Sequence, residues 1–228
     1  FNMSKLPRIK TKESLAEKTY RILKQAILEL DFKPNQPLLE EELAEQLGVS
    51  RTPIRADLSK LAFENLVKII PGKGTYVADL SYKDMIDTFN VREVMEGLAA
   101  KLAAESVKQG ELRKLESVLN SQKQLTEQDP LDIRKFTALD NEFHYLISEM
   151  SGNEILKEQI LRLKEKFNRY VVSHKTLLIE REKPVIEEHY RVLNAIKNKD
   201  ANEAEQAMRK HIIYIKQALE ENMNLEKK

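Results

Sequence analysis

Asp140 and His144 stand four residues apart, a spacing that puts both side chains on one face of a helix, where an oxygen and an imidazole nitrogen can hold the same cation. The chain has four histidines, and each falls where apolar residues recur at helical spacing. After Pro130 the inward series is Phe136, Asp140, Phe143, His144 and Ile147. After Pro184 it is Val185, Ile186, His189, Leu193 and Ile196, and in the last segment Ala204, Ala207, Met208, His211, Ile212 and Ile215. A lone core histidine is ordinarily satisfied by a hydrogen bond, but an inward carboxylate with no obvious cation is expensive to bury. One Asp and three His make a donor set suited to Zn²⁺, Ni²⁺ or another divalent transition metal, with positions left for water or an anion. Spacing alone leaves two readings open, a metal site or separate core histidines, and it does not choose the metal. His174 lies on a similar stripe with Tyr170, Val171, Leu177 and Leu178 and reads as core or pocket lining.

A second constellation lies near the other end of the chain. Leu43 to Leu47, Gly48, and Ser50-Arg51-Thr52-Pro53-Ile54-Arg55 read as two short helices around a tight turn. Arg51 and Arg55 share a face of the second helix, and either side chain can meet a guanine O6/N7 edge or a phosphate. Thr52 can meet a thymine methyl or a phosphate, and Ser50 is suited to cap the helix. The competing reading pairs the two arginines with Glu64 or Asp57 as ordinary surface charge.

These residues need elements to place them. Residues 12–31 show a helical stripe of Leu15, Ile22, Leu23, Ala26, Ile27 and Leu30, with Thr19 its one polar member. Leu39 to Leu47 predicts the next helix, Gly48 a left-handed turn, and Pro53 fits the first turn of the third helix. Leu43, Leu47, Val49, Ile54, Leu58 and Leu61 are the expected core. Val67-Lys-Ile-Ile70, Pro71-Gly72-Lys73-Gly74 and Thr75-Tyr76-Val77 predict a β-hairpin with a basic tip, which makes the motif winged. From Ser81 onward the pattern is helical, with Ser81 and Asp84 resembling a capping box. Gly110, Asp129-Pro130, Ser151-Gly152, Lys183-Pro184 and Asp200 divide it into about six helices. The expected fold is mainly α: a winged helix-turn-helix domain over residues 1–79 and an all-α helical bundle over residues 82–228.

Composition narrows the classes. With 228 residues, 41% hydrophobic and 33% charged, and no apolar run near the roughly 20 residues of a membrane helix, a soluble two-domain protein is expected. There are no cysteines, so disulfides and thiolate metal sites are excluded, in keeping with a cytoplasmic protein. No signal-peptide pattern opens the chain, and Phe1-Asn2 ahead of Met3 reads as a non-native remnant. Net charge is +1, and residues 1–79 hold 13 Lys/Arg against 11 Asp/Glu. DNA binding would therefore rest on local placement: Arg51 and Arg55, and Lys5, Arg8, Lys10 and Lys12 of the N-terminal arm.

Gly48-Val-Ser-Arg-Thr-Pro-Ile-Arg55, Leu58-x-x-Leu61, Glu64-Asn-Leu-Val67 and Gly72-Lys-Gly-Thr-Tyr-Val77 together resemble the GntR family of bacterial winged-helix regulators. The resemblance implies DNA contacts by Ser50, Arg51, Thr52 and Arg55, with Lys73 of the wing touching the minor groove or backbone. The chain departs from the family pattern at Ala56-Asp57, where Glu-Ala is usual, and at Asn35 and Asn65, where glycine is usual. Asparagine accepts the left-handed backbone of such turns. Asp57 must point away from phosphate or pair with Arg55 or Lys60, and Glu41 stands where some relatives carry a basic residue.

Residues 82–225 resemble the FCD domain, the helical effector module of the FadR subfamily. The similarity lies in Val91-Arg92-x-x-x-Glu96, Asp140-x-x-x-His144, Ser151-Gly-Asn153, Glu188-His189 with Ala195-Ile196, and Ala207-Met208-x-x-His211-Ile212. It implies Asp140, His144, His189 and His211 as ligands of a divalent metal, and a small carboxylate bound beside it. Arg92 is then the candidate effector contact, alongside a salt bridge to Glu96 one turn on. Asn153 reads as a helix cap. The expected function is a ligand-responsive transcription regulator, a repressor relieved by its effector, acting as a homodimer on a DNA operator. Two alternatives remain: a metal-dependent hydrolytic enzyme, for which no nucleophile, general base or HExxH pattern is present, and a dimerisation module with a purely structural metal.

Overall fold

The computed structural model describes residues 14–173 and 175–225, with the side chains of 166–168, 171–173, 175–178 and 223–225 outside the described set. The basic arm and His174 lie outside it too. The chain divides into two compact units between Asp79 and Leu80.

In the first unit α1 (Leu15–Leu28) is opened by a full capping box, with the Ser14 side chain accepting from the Glu17 amide and Glu17 accepting from the Ser14 amide. Its buried face is Thr19, Leu23 and Ile27, while Leu15 and Ile22 are exposed. The stripe is thus narrower than the sequence suggests, and its polar member is buried with it. A two-residue strand β1 (Pro37–Leu38) follows, then α2 (Glu40–Leu47) and α3 (Arg51–Phe63) around Gly48, which closes α2 in the left-handed conformation at φ 65°. Strands β2 (Val67–Ile70) and β3 (Gly74–Val77) form the hairpin in the register Val67↔Val77 and Ile70↔Gly74. β1, unforeseen because two residues carry no period, adds antiparallel to the other edge of β3. Asn35 and Asn65 sit at φ 62° and 59°, so asparagine does fill the turns where glycine is usual. Leu43, Ile54, Leu58 and Leu61 are buried with Leu23, Ile27, Leu66 and Val77, and Leu47 and Val49 pack partly buried against them.

Asp57 points away from the surface, the first of its two expected placements, and its partner is neither Arg55 nor Lys60. It is buried, and its Oδ2 accepts from the Thr19 hydroxyl at 2.6 Å, so the one polar residue of the α1 stripe and the one awkward carboxylate of α3 satisfy each other. Thr19→Val keeps the shape but leaves a buried carboxylate without that donor, and should lower stability by about 1–3 kcal/mol. Urea unfolding of the full chain would show it; an unchanged midpoint would mean that the pair contributes nothing.

The second unit contains six helices among the described residues: α4 (Tyr82–Ser106), α5 (Gln109–Leu125), α6 (Ile133–Met150), α7 (Glu154–Ser173), α8 (Lys175–Lys197) and α9 (Ala201–Leu225). Ser81 caps α4 by accepting from the Asp84 amide at 3.0 Å, and Asn153 caps α7 by accepting from the Leu156 amide at 3.1 Å. Gly110 is in the first turn of α5 rather than at a break. Pro184 is inside α8 rather than at a helix end. A helix-interior proline loses one backbone hydrogen bond and costs about 3 kcal/mol. Burial of Val185, Ile186, His189, Val192 and Leu193 on the same helix supplies the opposing term. α4 packs against α6, α7, α8 and α9. Its Gly97 lies so close to α9 that a Cβ would stand 2.7 Å from Arg209 Cγ, which explains a glycine in mid-helix.

Candidate metal centre and nucleic-acid interface

Polar burial concentrates in the second unit. α6 brings Asp140 and His144, α8 brings His189, and α9 brings His211. One ligand atom from each lies within 4.8 Å of the others, and the three imidazoles are buried. His189 Nε2 is 3.3 Å from His211 Nε2 and 3.6 Å from Asp140 Oδ1, and His144 Nε2 is 3.9 Å from Asp140 Oδ1.

What faces away from this centre decides what the imidazoles can do. His211 Nδ1 donates to Glu188 Oε2 at 2.8 Å, and His189 Nδ1 to Gln122 Oε1 at 3.0 Å. His144 Nδ1 is in close contact with Glu96 Oε2. A carboxylate or amide oxygen accepts only, so the proton of a neutral ring sits on Nδ1 and leaves Nε2 a bare lone pair. Neither ring nitrogen of His144 makes a hydrogen bond of good geometry among the described residues, so Glu96 holds Nδ1 by close contact alone and Nε2 stays open. Two bare nitrogens facing each other at 3.3 Å repel unless a cation lies between them. Imidazoles held by acceptors at Nδ1 and converging through Nε2 are the arrangement a transition metal requires. Phe143 stacks on His189 at 4.1 Å between ring centroids and fixes that ring further.

Electrostatics favours the ligating forms. Burial, reinforced by the Lys164 charge, pushes His144 down to about 4 against the pull of Glu96 and Asp140. Burial and the neighbouring His211 also hold His189 well below its ordinary value. Burial would raise Asp140, but Lys164 and the histidines outweigh it and keep the carboxyl below the usual range. Burial would likewise raise Glu96, and Arg92 and His144 hold it down. These residues fit a divalent metal: neutral nitrogen donors, an ionised oxygen donor and oriented outer partners.

Several members of the site went unforeseen. Asp140 does have a cation, the buried Lys164 of α7, whose Nζ donates to Oδ2 at 2.9 Å. The cost of an unpaired carboxylate therefore no longer argues for a metal; the imidazole geometry does. Arg92 donates from Nε to Glu96 Oε1 at 2.6 Å, so Glu96 links the candidate effector arginine to His144. Arg181 donates to Glu188 Oε1 at 2.6 Å, behind His211. Lys164 and Gln122 each left a signal: Leu156, Ile160 and Lys164 share one helical stripe, as do Leu115, Leu119 and Gln122.

In the first unit Arg51, Thr52 and Arg55 line a shallow surface depression with Ala56 and Ser59. Ser50 occupies the N-cap position of α3 and is exposed, but its hydroxyl makes no capping bond, contrary to expectation. The arginines pair with neither Glu64 nor Asp57. Arg55 donates to Glu40 from Nε at 3.1 Å and from Nη2 at 2.8 Å, and Arg51 Nη2 lies 3.9 Å from the same carboxylate. Glu64 is occupied by Tyr20 and Lys24. Lys73 is exposed at the hairpin tip, and Glu41 is exposed on α2.

The FCD domain model matches residues 87–213, and that of bacterial regulatory proteins of the gntR family matches residues 15–77. The HTH-type transcriptional repressor RspR of Escherichia coli K12 is 27% identical over 206 residues, covering 89% of this chain and 88% of that protein. The Uxu operon regulator of Haemophilus influenzae is 29% identical, covering 95% and 88%. In fold, the chain is similar to E. coli McbR/YncC, with a TM-score of 0.78 at 24% identity over 92% of this chain and 99% of that one. A winged motif with outward arginines thus precedes a helical unit with a donor set at its centre, and both have family counterparts: the chain belongs to the GntR family of bacterial transcription regulators and carries an FCD domain.

Proposed function

We propose that this protein is a cytoplasmic, homodimeric repressor whose operator binding is relieved by a small carboxylate held beside a divalent transition metal. Asp140, His144, His189 and His211 hold the metal, which when bound supplies open coordination positions for an oxygen of the acid. Arg92, fixed by Glu96, offers guanidinium to the rest of the acid. Ser50, Arg51, Thr52, Arg55 and Lys73 meet DNA. Regulation then consists of a difference in operator affinity between acid-bound and acid-free protein. RspR, a repressor by name, is the kind of relative this reading expects.

The convergence of three imidazoles on one point with Asp140, those of His189 and His211 anchored by Nδ1 hydrogen bonds and that of His144 by its contact with Glu96, carries the proposal. Thermal denaturation across a panel of small carboxylates, with and without chelator, tests it. Acids that raise the melting temperature only when metal is present are the expected result, by about 3 kcal/mol of added stability at a hundredfold excess over Kd. Stabilisation unaffected by chelator, or none by any acid, would overturn the reading.

A further inference from the structure

Among the described residues, each carboxylate in contact with the imidazoles already has a cation of its own. Asp140 pairs with Lys164 at 2.9 Å, Glu96 with Arg92 at 2.6 Å, and Glu188 with Arg181 at 2.6 Å. Arg92, Glu96 and Lys164 are almost wholly buried, so solvent does little to screen them. Ligating imidazoles are neutral, and the three ion pairs sum to zero. A divalent metal therefore brings two positive charges that this set of side chains leaves uncompensated in a buried site.

We propose that the ligand of this site is a dianion, a small dicarboxylic acid, and that Lys164 sets this requirement. Lys164 neutralises Asp140 through Oδ2 while Oδ1 faces the imidazoles, so the carboxylate that would offset half of the metal's charge is already offset. Removing the lysine returns that charge, and a monoanion then completes the balance. The inference rests on the metal-and-acid reading above and extends it from carboxylates in general to doubly charged ones.

Half-amides isolate charge from shape. Malonate against malonamate, and succinate against succinamate, are titrated at constant ionic strength into the full chain loaded with zinc and, separately, with nickel. In the better-binding pair the diacid is expected to bind at least about tenfold more tightly. In Lys164→Met, and in Lys164→Gln as a second variant should the first fold poorly, the ratio shrinks because loss of a positive charge weakens the diacid more than the half-amide. Half-amides that match their diacids in the wild type, or a ratio unchanged in a folded Lys164 variant, overturn the dianion proposal alone. Absence of binding by any acid to metal-loaded protein overturns the reading beneath it instead.

Discussion

In His211→Ala, the one transition-metal ion per chain expected in the wild type falls to background in elemental analysis, and the melting temperature no longer responds to chelator. His211 is fully buried, its Nε2 faces that of His189 and its Nδ1 proton goes to Glu188. Truncation takes away a ligand, opens a cavity and leaves Glu188 only Arg181 among the site's donors, so loss of metal combines with loss of packing. A buried large-to-small change costs about 2–5 kcal/mol by itself. A metal at a thousandfold excess over its Kd adds about 4 kcal/mol that the variant cannot recover. Chelator separates the two, because the packing loss persists in stripped protein and the metal contribution does not. Wild-type protein that contains no transition metal after purification, and takes up none when offered zinc or nickel, would refute the ligand assignment.

The four donors were legible because a helix repeats every 3.6 residues and an Asp or His on the apolar stripe stands out against it. What completes the site was harder to read because it is tertiary. Lys164 was on its stripe as plainly as His144 was on its own, yet nothing local says that a lysine on α7 meets Asp140 on α6. Thr19 and Asp57 were each conspicuous, but 38 residues separate them, and only the packing of α1 on α3 joins them. Local rules failed where packing outweighed them. Pro184 reads as a helix end and is helix interior. The wing and the asparagine turns were legible for the opposite reason: positive φ is a single-residue property, and Asn35 and Asn65 display it.

Arg55→Ala and Arg51→Ala should each lower affinity for the operator by about ten- to a hundredfold, the 1–3 kcal/mol of a good arginine–base contact, while leaving the unfolding midpoint unchanged. Their side chains are 68% and 58% exposed, so truncation creates no cavity. Asp57, the α3 carboxylate that would repel phosphate at this surface, is buried beneath it and accepts from Thr19, which leaves the arginine face without that opposition. Glu40 is the remaining competitor. A surface ion pair is worth about 0–1 kcal/mol, so exchanging Glu40 for a base edge or phosphate is favourable, and until then the bidentate pair keeps Arg55 from wandering. Lys73→Ala should behave differently, weakening operator and scrambled duplex alike and reducing the salt slope by about one unit, as loss of a phosphate contact does. An operator selected from random duplexes by the wild-type protein provides the substrate. Arginine variants that bind it like the wild type would remove α3 from the interface, whereas equal losses on operator and scrambled DNA would make both residues phosphate clamps, with sequence read elsewhere.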